Sequence, residues 1–81
     1  MTFNIELFME LSQDRCDGKR LVARRNIAGD DVGEALMTLV LGYSNEIGRT
    51  RDGGFIYWVD TSGKPDPINR VSYAVVRVKG E

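Results

Sequence analysis

The sequence predicts an α+β domain, a four-stranded antiparallel sheet in ββαββ order with one helix packed on one face. Three observations carry this. Residues Thr2 to Ser12 alternate between apolar and polar, the apolar spacing changes from two to about 3.6 at Val32, and two β-rich segments follow a glycine-rich stretch. The 81 residues are read as one domain, 1–81, with no linker and no repeat.

In the opening segment Phe3, Ile5, Leu7, Met9 and Leu11 fall on one side. Thr2, Asn4, Glu6, Phe8, Glu10 and Ser12 fall on the other. This is the pattern of a half-buried strand. Ser12 to Lys19, with Gln13, Asp14 and the Asp17-Gly18 pair, has the chemistry of a chain reversal, so the second strand, about Lys19 to Ile27, pairs antiparallel with the first. Its facing is ambiguous: Leu21, Ala23 and Ile27 share a side with Arg25, and Val22 shares the other with Arg20 and Arg24.

Gly29-Asp30-Asp31 ends that strand. From Val32 the residues Ala35, Leu36, Leu39, Val40, Tyr43 and Ile47 are spaced as one helical face, which predicts a helix over Val32 to Ile47. Asp31 and Glu34 have capping-box spacing at its start, and Gly48 is its expected stop. Phe55 to Thr61 and Val71 to Lys79 are then β-rich, and Thr61 to Pro67 between them is a turn cluster, so a second hairpin is expected.

Composition removes most familiar chemistry. Histidine is absent and there is one cysteine, which excludes Cys/His zinc sets, Ser-His or Cys-His nucleophile pairs and a disulfide framework. Asp30/Asp31 and Asp14/Asp17 are accounted for by cap and turn positions, and Cys16, beside Asp14 and Asp17, is poorly placed to form a thiolate. Gly48 to Gly54 with Arg49 and Arg51 has some phosphate-loop flavour. It follows a helix and precedes a strand, however, the reverse of a P-loop, and lacks the Gly-Lys-Ser/Thr ending. No catalytic, cofactor or metal site is expected. The longest apolar run, Ala35 to Tyr43, is far short of the about 20 residues of a membrane span, and no basic, apolar leader opens the chain, so a cytoplasmic protein is expected.

One helix covers one face of such a sheet, and the other face is left to solvent or to a partner. Phe8 and either Ile56 with Trp58 or Phe55 with Tyr57 then face outward. Met37 and Leu41 lie off the core stripe of the helix. Apolar groups remain after the core is matched, and this predicts a protein-binding surface, with Phe8, Met37, Leu41, Arg49, Arg51 and Trp58 as partner-binding candidates and a homodimer as one way to bury them. The alternative is an accessory protein that binds single-stranded RNA or DNA on the open face, through its aromatic rings and Arg20, Arg24, Arg25, Arg70, Arg77 and Lys79. Against it stand eleven basic against twelve acidic residues, with Glu6, Glu10 and Asp60 among those rings.

In length and element order the chain resembles the small proteins that bacteriophages encode to block host machinery, anti-CRISPR proteins among them. The resemblance is carried by the alternating strand Phe3 to Leu11, the helix Val32 to Ile47 and the hairpin strands from Phe55 to Lys79, without histidine or an active-site constellation. It implies stoichiometric inhibition of a host defence or nucleic-acid-processing complex, sometimes as a homodimer.

Overall fold

A computed structural model describes residues 1–10 and 19–79. Leu11, Ser12 and the turn expected from Ser12 toward Lys19, with Cys16, lie outside the described residues. The elements follow as β1 (Thr2–Glu10), β2 (Lys19–Ala28), α1 (Val32–Met37), β3 (Gly42–Tyr43), β4 (Gly48–Arg49), β5 (Phe55–Asp60), a 3-10 helix (Ile68–Arg70) and β6 (Tyr73–Lys79). All pairings are antiparallel, in the order β2-β1-β6-β5-β3, with β4 also on β5.

The α+β class holds, with corrections to the detail. The sheet has six strands, not four, and the order is not ββαββ, because β3 and β4 stand between α1 and β5. The helix ends at Met37 instead of reaching Ile47. Its start is as the sequence implies: the Asp31 side chain accepts from Glu34 N at 2.8 Å, while Glu34 Oε1 accepts from Asp30 N at 3.4 Å. A turn follows, with Leu39 N and Val40 N both donating to Leu36 O.

The early stop has a physical cause. Thr38, Val40, Tyr43 and Ile47 are β-branched or aromatic and lose rotamer freedom in a helix, and Gly42 adds about 1 kcal/mol against it. The competing hairpin is better: Leu41 N, Ser44 N and Ile47 N donate to the carbonyls of Asp60, Trp58 and Ile56 at 2.8, 2.9 and 2.8 Å. These bonds cover the edge of β5 that a long helix would leave bare. Gly48, expected as a helix stop, is paired with Ile56 in the sheet.

The second strand also resolves its ambiguity by tertiary means. The β1–β2 register shifts between Leu7 and Phe8: Leu7 is opposite Ala23, but Phe8 is opposite Leu21. Val22 is the extra residue of this bulge and packs against the core. Ala23 and Ile27 therefore share the core side with Leu7 and Phe3, while Leu21 crosses to the other face beside Phe8.

The core joins Phe3, Ile5 and Leu7 of β1 to Ala74 and Val76 of β6, under Ala35, Leu36 and Val40. The molecule is 20 Å across its thinnest dimension, about one sheet layer and one helix layer. No helix among the described residues is long and apolar enough to cross a membrane.

Leu36 is fully buried and Met37, the next residue, is 49% exposed. Leu36→Ala is therefore expected to cost about 2–5 kcal/mol in urea denaturation and Met37→Ala about 0.5 kcal/mol or less. Equal losses would show that this is not the inward face of the helix.

Candidate functional site: the open sheet face

The face of the sheet away from α1 collects side chains from four strands in rows. In the register, Leu21 lies opposite Phe8, Phe8 opposite Tyr73 and Tyr73 opposite Trp58, an apolar row running across β2, β1, β6 and β5. Phe8 and Tyr73 stack at 5.1 Å between centroids, 8° from parallel, and Trp58 stands edge-on to Tyr73 at 6.0 Å. Leu21 and Trp58, at the two ends of the row, are 42% and 46% exposed.

Beside this row runs a chain of charges. Arg24 of β2 donates to Glu6 Oε2 through Nε at 3.1 Å and Nη2 at 2.8 Å. Arg77 of β6 donates to Glu6 Oε1 through Nη1 and to Asp52 Oδ2 through Nε at 2.9 Å. The order across the sheet is Arg24, Glu6, Arg77, Asp52, so the signs alternate and sum to zero. Glu6 is the most enclosed of the four, with 13% of its side chain exposed. Burial alone would raise its pKa, but hydrogen bonds and charge from Arg24 and Arg77 outweigh burial and hold it below the usual value of 4.5. The Asp52 carboxyl is also lowered, first by the Thr50 hydroxyl and then by Arg77.

The Gly48 to Gly54 loop serves this arrangement. Gly53 has φ +90°, and a Cβ on Gly54 would lie 2.8 Å from Thr50 Oγ1 and 2.9 Å from Val75 Cγ1, so both glycines are needed for the turn to fold down beside Arg77. Three of its amides are bonded within the loop: Thr50 N donates to Gly54 O, Gly53 N to Thr50 O and Gly54 N to Thr50 Oγ1. The loop thus presents Asp52 to Arg77.

No family model, curated protein or solved structure matches the chain.

Of the expected binding residues, the fold brings Phe8 and Trp58 together through Tyr73. Met37 and Leu41, 49% and 52% exposed, lie elsewhere, at the end of α1 and at the start of the β5 edge. Arg49 is occupied in its own hairpin, donating to Glu46 at 3.1 Å and lying 4.8 Å over the Phe55 ring. Arg51 is exposed in the turn. Sequence reading missed Leu21, because the bulge moves it across the sheet. It also missed Glu6 as the link between two arginines, since Arg77 lies 71 residues away.

A cleft of 370 Å³ runs along the β3 edge, lined by Gly42, Tyr43, Ser44, Trp58, Val59 and Asp60. Its carboxylate accepts from the Ser62 hydroxyl and amide, which lowers the Asp60 pKa and weakens it as a base. Among the described residues no three His, Cys, Asp or Glu side chains gather as a metal would require.

The Glu6 pairing sets a pH dependence. Its folded pKa is lowered, so the stabilisation is present above the unfolded value near 4.5 and fades as pH falls through the folded value. Glu6→Gln is expected to be less stable than wild type at neutral pH and to converge on it in acid, measured as urea midpoints across an acid series. Parallel curves for the two proteins would show that another group governs the acid limb.

Proposed function

We propose that this chain is a small non-enzymatic protein-binding module whose recognition surface is the open sheet face. The carrying observation is the row Leu21, Phe8, Tyr73, Trp58, which spans four strands on the face opposite the helix. A continuous apolar row flanked by polar groups is the composition of a protein interface, with aromatic anchors at its centre and a hydrophilic rim.

The alternative, a single-strand nucleic-acid reader, needs ring faces for bases and unspent cations for phosphates. Here Phe8 and Tyr73 stack on each other, and the neighbouring Arg24 and Arg77 are bound to Glu6 and Asp52. Those features support the protein reading. The narrower form of the proposal is a phage- or mobile-element-encoded stoichiometric inhibitor, of the anti-CRISPR type, acting in the cytoplasm. It rests on small size and the absence of a catalytic constellation from the sequence; the element order that contributed to the resemblance is altered by the short helix and the added strands.

The test is affinity capture from a host lysate with wild type, Trp58→Asp and, as control, Leu41→Asp. Capture should fall about tenfold or more with Trp58→Asp and persist with Leu41→Asp. Mixed single-stranded oligonucleotides at about physiological salt should bind no tighter than the non-specific range of roughly 10⁻⁴ M. A micromolar oligonucleotide complex that collapses on Trp58→Ala would reverse the choice between the two readings.

A further inference from the structure

We infer that the outer edge of β2 takes an extended acidic peptide segment as an added strand of the sheet and seats one of its carboxylates between Arg20 and Arg70. This surface is separate from the open sheet face and does not depend on the reading of that face.

The backbone supplies the first observation. β2 is the last strand of the sheet on its side, and among the described residues only β1 pairs with it. The bond from Gly29 N to Met1 O, at 3.0 Å, continues the register in which Thr2 is opposite Ala28. Bonded and non-bonded pairs alternate along an antiparallel ladder, so Ile27 and Arg25 bond to β1, while Ala28, Asn26 and Arg24 turn their N–H and C=O groups outward. The Arg24 carbonyl agrees, since it accepts from the Arg25 guanidinium at 2.9 Å. Arg24, Asn26 and Ala28 are all exposed, so their outward groups form a template for another strand.

Charge selects the strand. Lys19–Ala28 holds Lys19, Arg20, Arg24 and Arg25 and no acidic residue, in a chain with eleven basic and twelve acidic residues. Arg24 is held by Glu6, but among the described residues Arg20 and Arg25 have no carboxylate partner. A pocket of 280 Å³ lies at the Arg20 end of the strand, lined by Met9, Arg20, Leu21, Val22, Pro67 and Arg70. Arg70 reaches it from the 3-10 helix, where Asp66 holds its Nε at 3.0 Å and leaves its Nη groups for another acceptor. Two guanidinium groups among apolar side chains suit a carboxylate on an aliphatic stem.

Basic residues on an edge strand also keep copies of a protein from pairing with one another. That accounts for the charges of β2 itself, but not for a second arginine brought to the same pocket by another element. Two copies of β2 would set basic residues against basic residues, whereas an acidic strand neutralises them. A nucleic acid would meet the charge but has no alternating N–H and C=O groups to offer the edge. From Arg20 to Ala28 is about 26 Å of strand, so a segment of about nine residues spans both the pocket and the outward amides.

The probe is a fluorescein-labelled nine-residue peptide of alternating glutamate and valine, followed by anisotropy and by residue-resolved amide hydrogen exchange of the protein. Saturable binding below about 1 mM is expected, about tenfold or more tighter than for the same peptide with lysine in place of glutamate. Exchange at Arg24, Asn26 and Ala28 should slow about tenfold or more, while Arg25 and Ile27, already bonded to β1, should change little. N-methylation of the peptide amides should weaken binding about tenfold or more. So should Arg20→Gln combined with Arg70→Gln, with an unchanged circular dichroism spectrum because both positions are exposed. Trp58→Asp should leave peptide binding unchanged. No saturable binding, binding that survives N-methylation, or binding indifferent to the two arginines would overturn the inference. Heparin binding with equal affinity and no added protection at Arg24, Asn26 and Ala28 would reduce the edge to a basic patch. Protection there that grows with protein concentration alone would make the occupant a second copy and overturn the acidic strand. Capture through Trp58 tests the open face separately, so either reading can fail without the other.

Discussion

The pairing of β1 with β6 is the constraint on which the rest of the molecule depends. It joins Thr2 to Lys79 and Phe8 to Tyr73, so the two ends of the chain lie side by side at the middle of the sheet. Each flanking hairpin is local in sequence, β2 against β1 and β5 against β6, and each would present an unpaired edge without this seam. The closure is costly in chain entropy, and it is repaid on both faces at once. On the helix side it packs Ile5 and Leu7 against Val76 and Ala74. On the open side it brings Arg77 to Glu6 and Tyr73 onto Phe8.

How α1 divides the two faces follows from its length. Six helical residues supply Ala35 and Leu36 as fully buried contacts, and Val40 completes the cover from the turn beyond. That is sufficient for the three inward positions of β1. The chain freed by ending the helix early becomes the edge of the sheet beside β5, where Trp58 N donates to Ser44 Oγ in place of a backbone carbonyl. The molecule thus exchanges helical propensity for sheet width, and a wider sheet covered on one side has a larger open face.

Much of this was legible in the chain. Strict alternation located β1 and its buried Phe3, Ile5 and Leu7, because a period of two has one solution when one face is buried. The Asp31 cap and the turn-rich run from Thr61 to Pro67 were also readable, since both are local chemistry. The helix end was not. The spacing of Leu36, Leu39 and Val40 is satisfied equally by a long helix and by one turn beyond a short helix, and the choice was made by hydrogen bonds to Asp60, Trp58 and Ile56. A period count contains no term for that pairing. Leu21 was hidden for a similar reason: a single bulge, invisible to alternation, reverses which face it occupies. Of the candidate surface, Phe8 was placed by parity, while parity left Trp58 as one of two alternatives that the pairing of β5 with β6 decides, and the chain of charges required knowledge of which strands are neighbours.

On the proposed interaction reading, the balance of that chain of charges sets what the open face can recognise. Isolated arginines beside aromatic rings would give the surface a positive field extending about 10 Å into solution, attracting polyanions without regard to sequence or shape. Glu6 is placed to prevent this. Held ionised by Arg24 and Arg77, it cancels their fields at contact distance, and Asp52 closes the row at its other end. A surface of alternating, paired charges exerts little pull at long range and retains a distinct pattern at short range. Encounter is then unsteered, and discrimination falls to the contact itself: a partner must offer the matching sequence of signs and an apolar strip in register, or leave charges desolvated and unpaired. On that reading the aromatic row is the area over which a partner would expel water, and the chain of charges sets which surfaces could do so without leaving a charge unpaired.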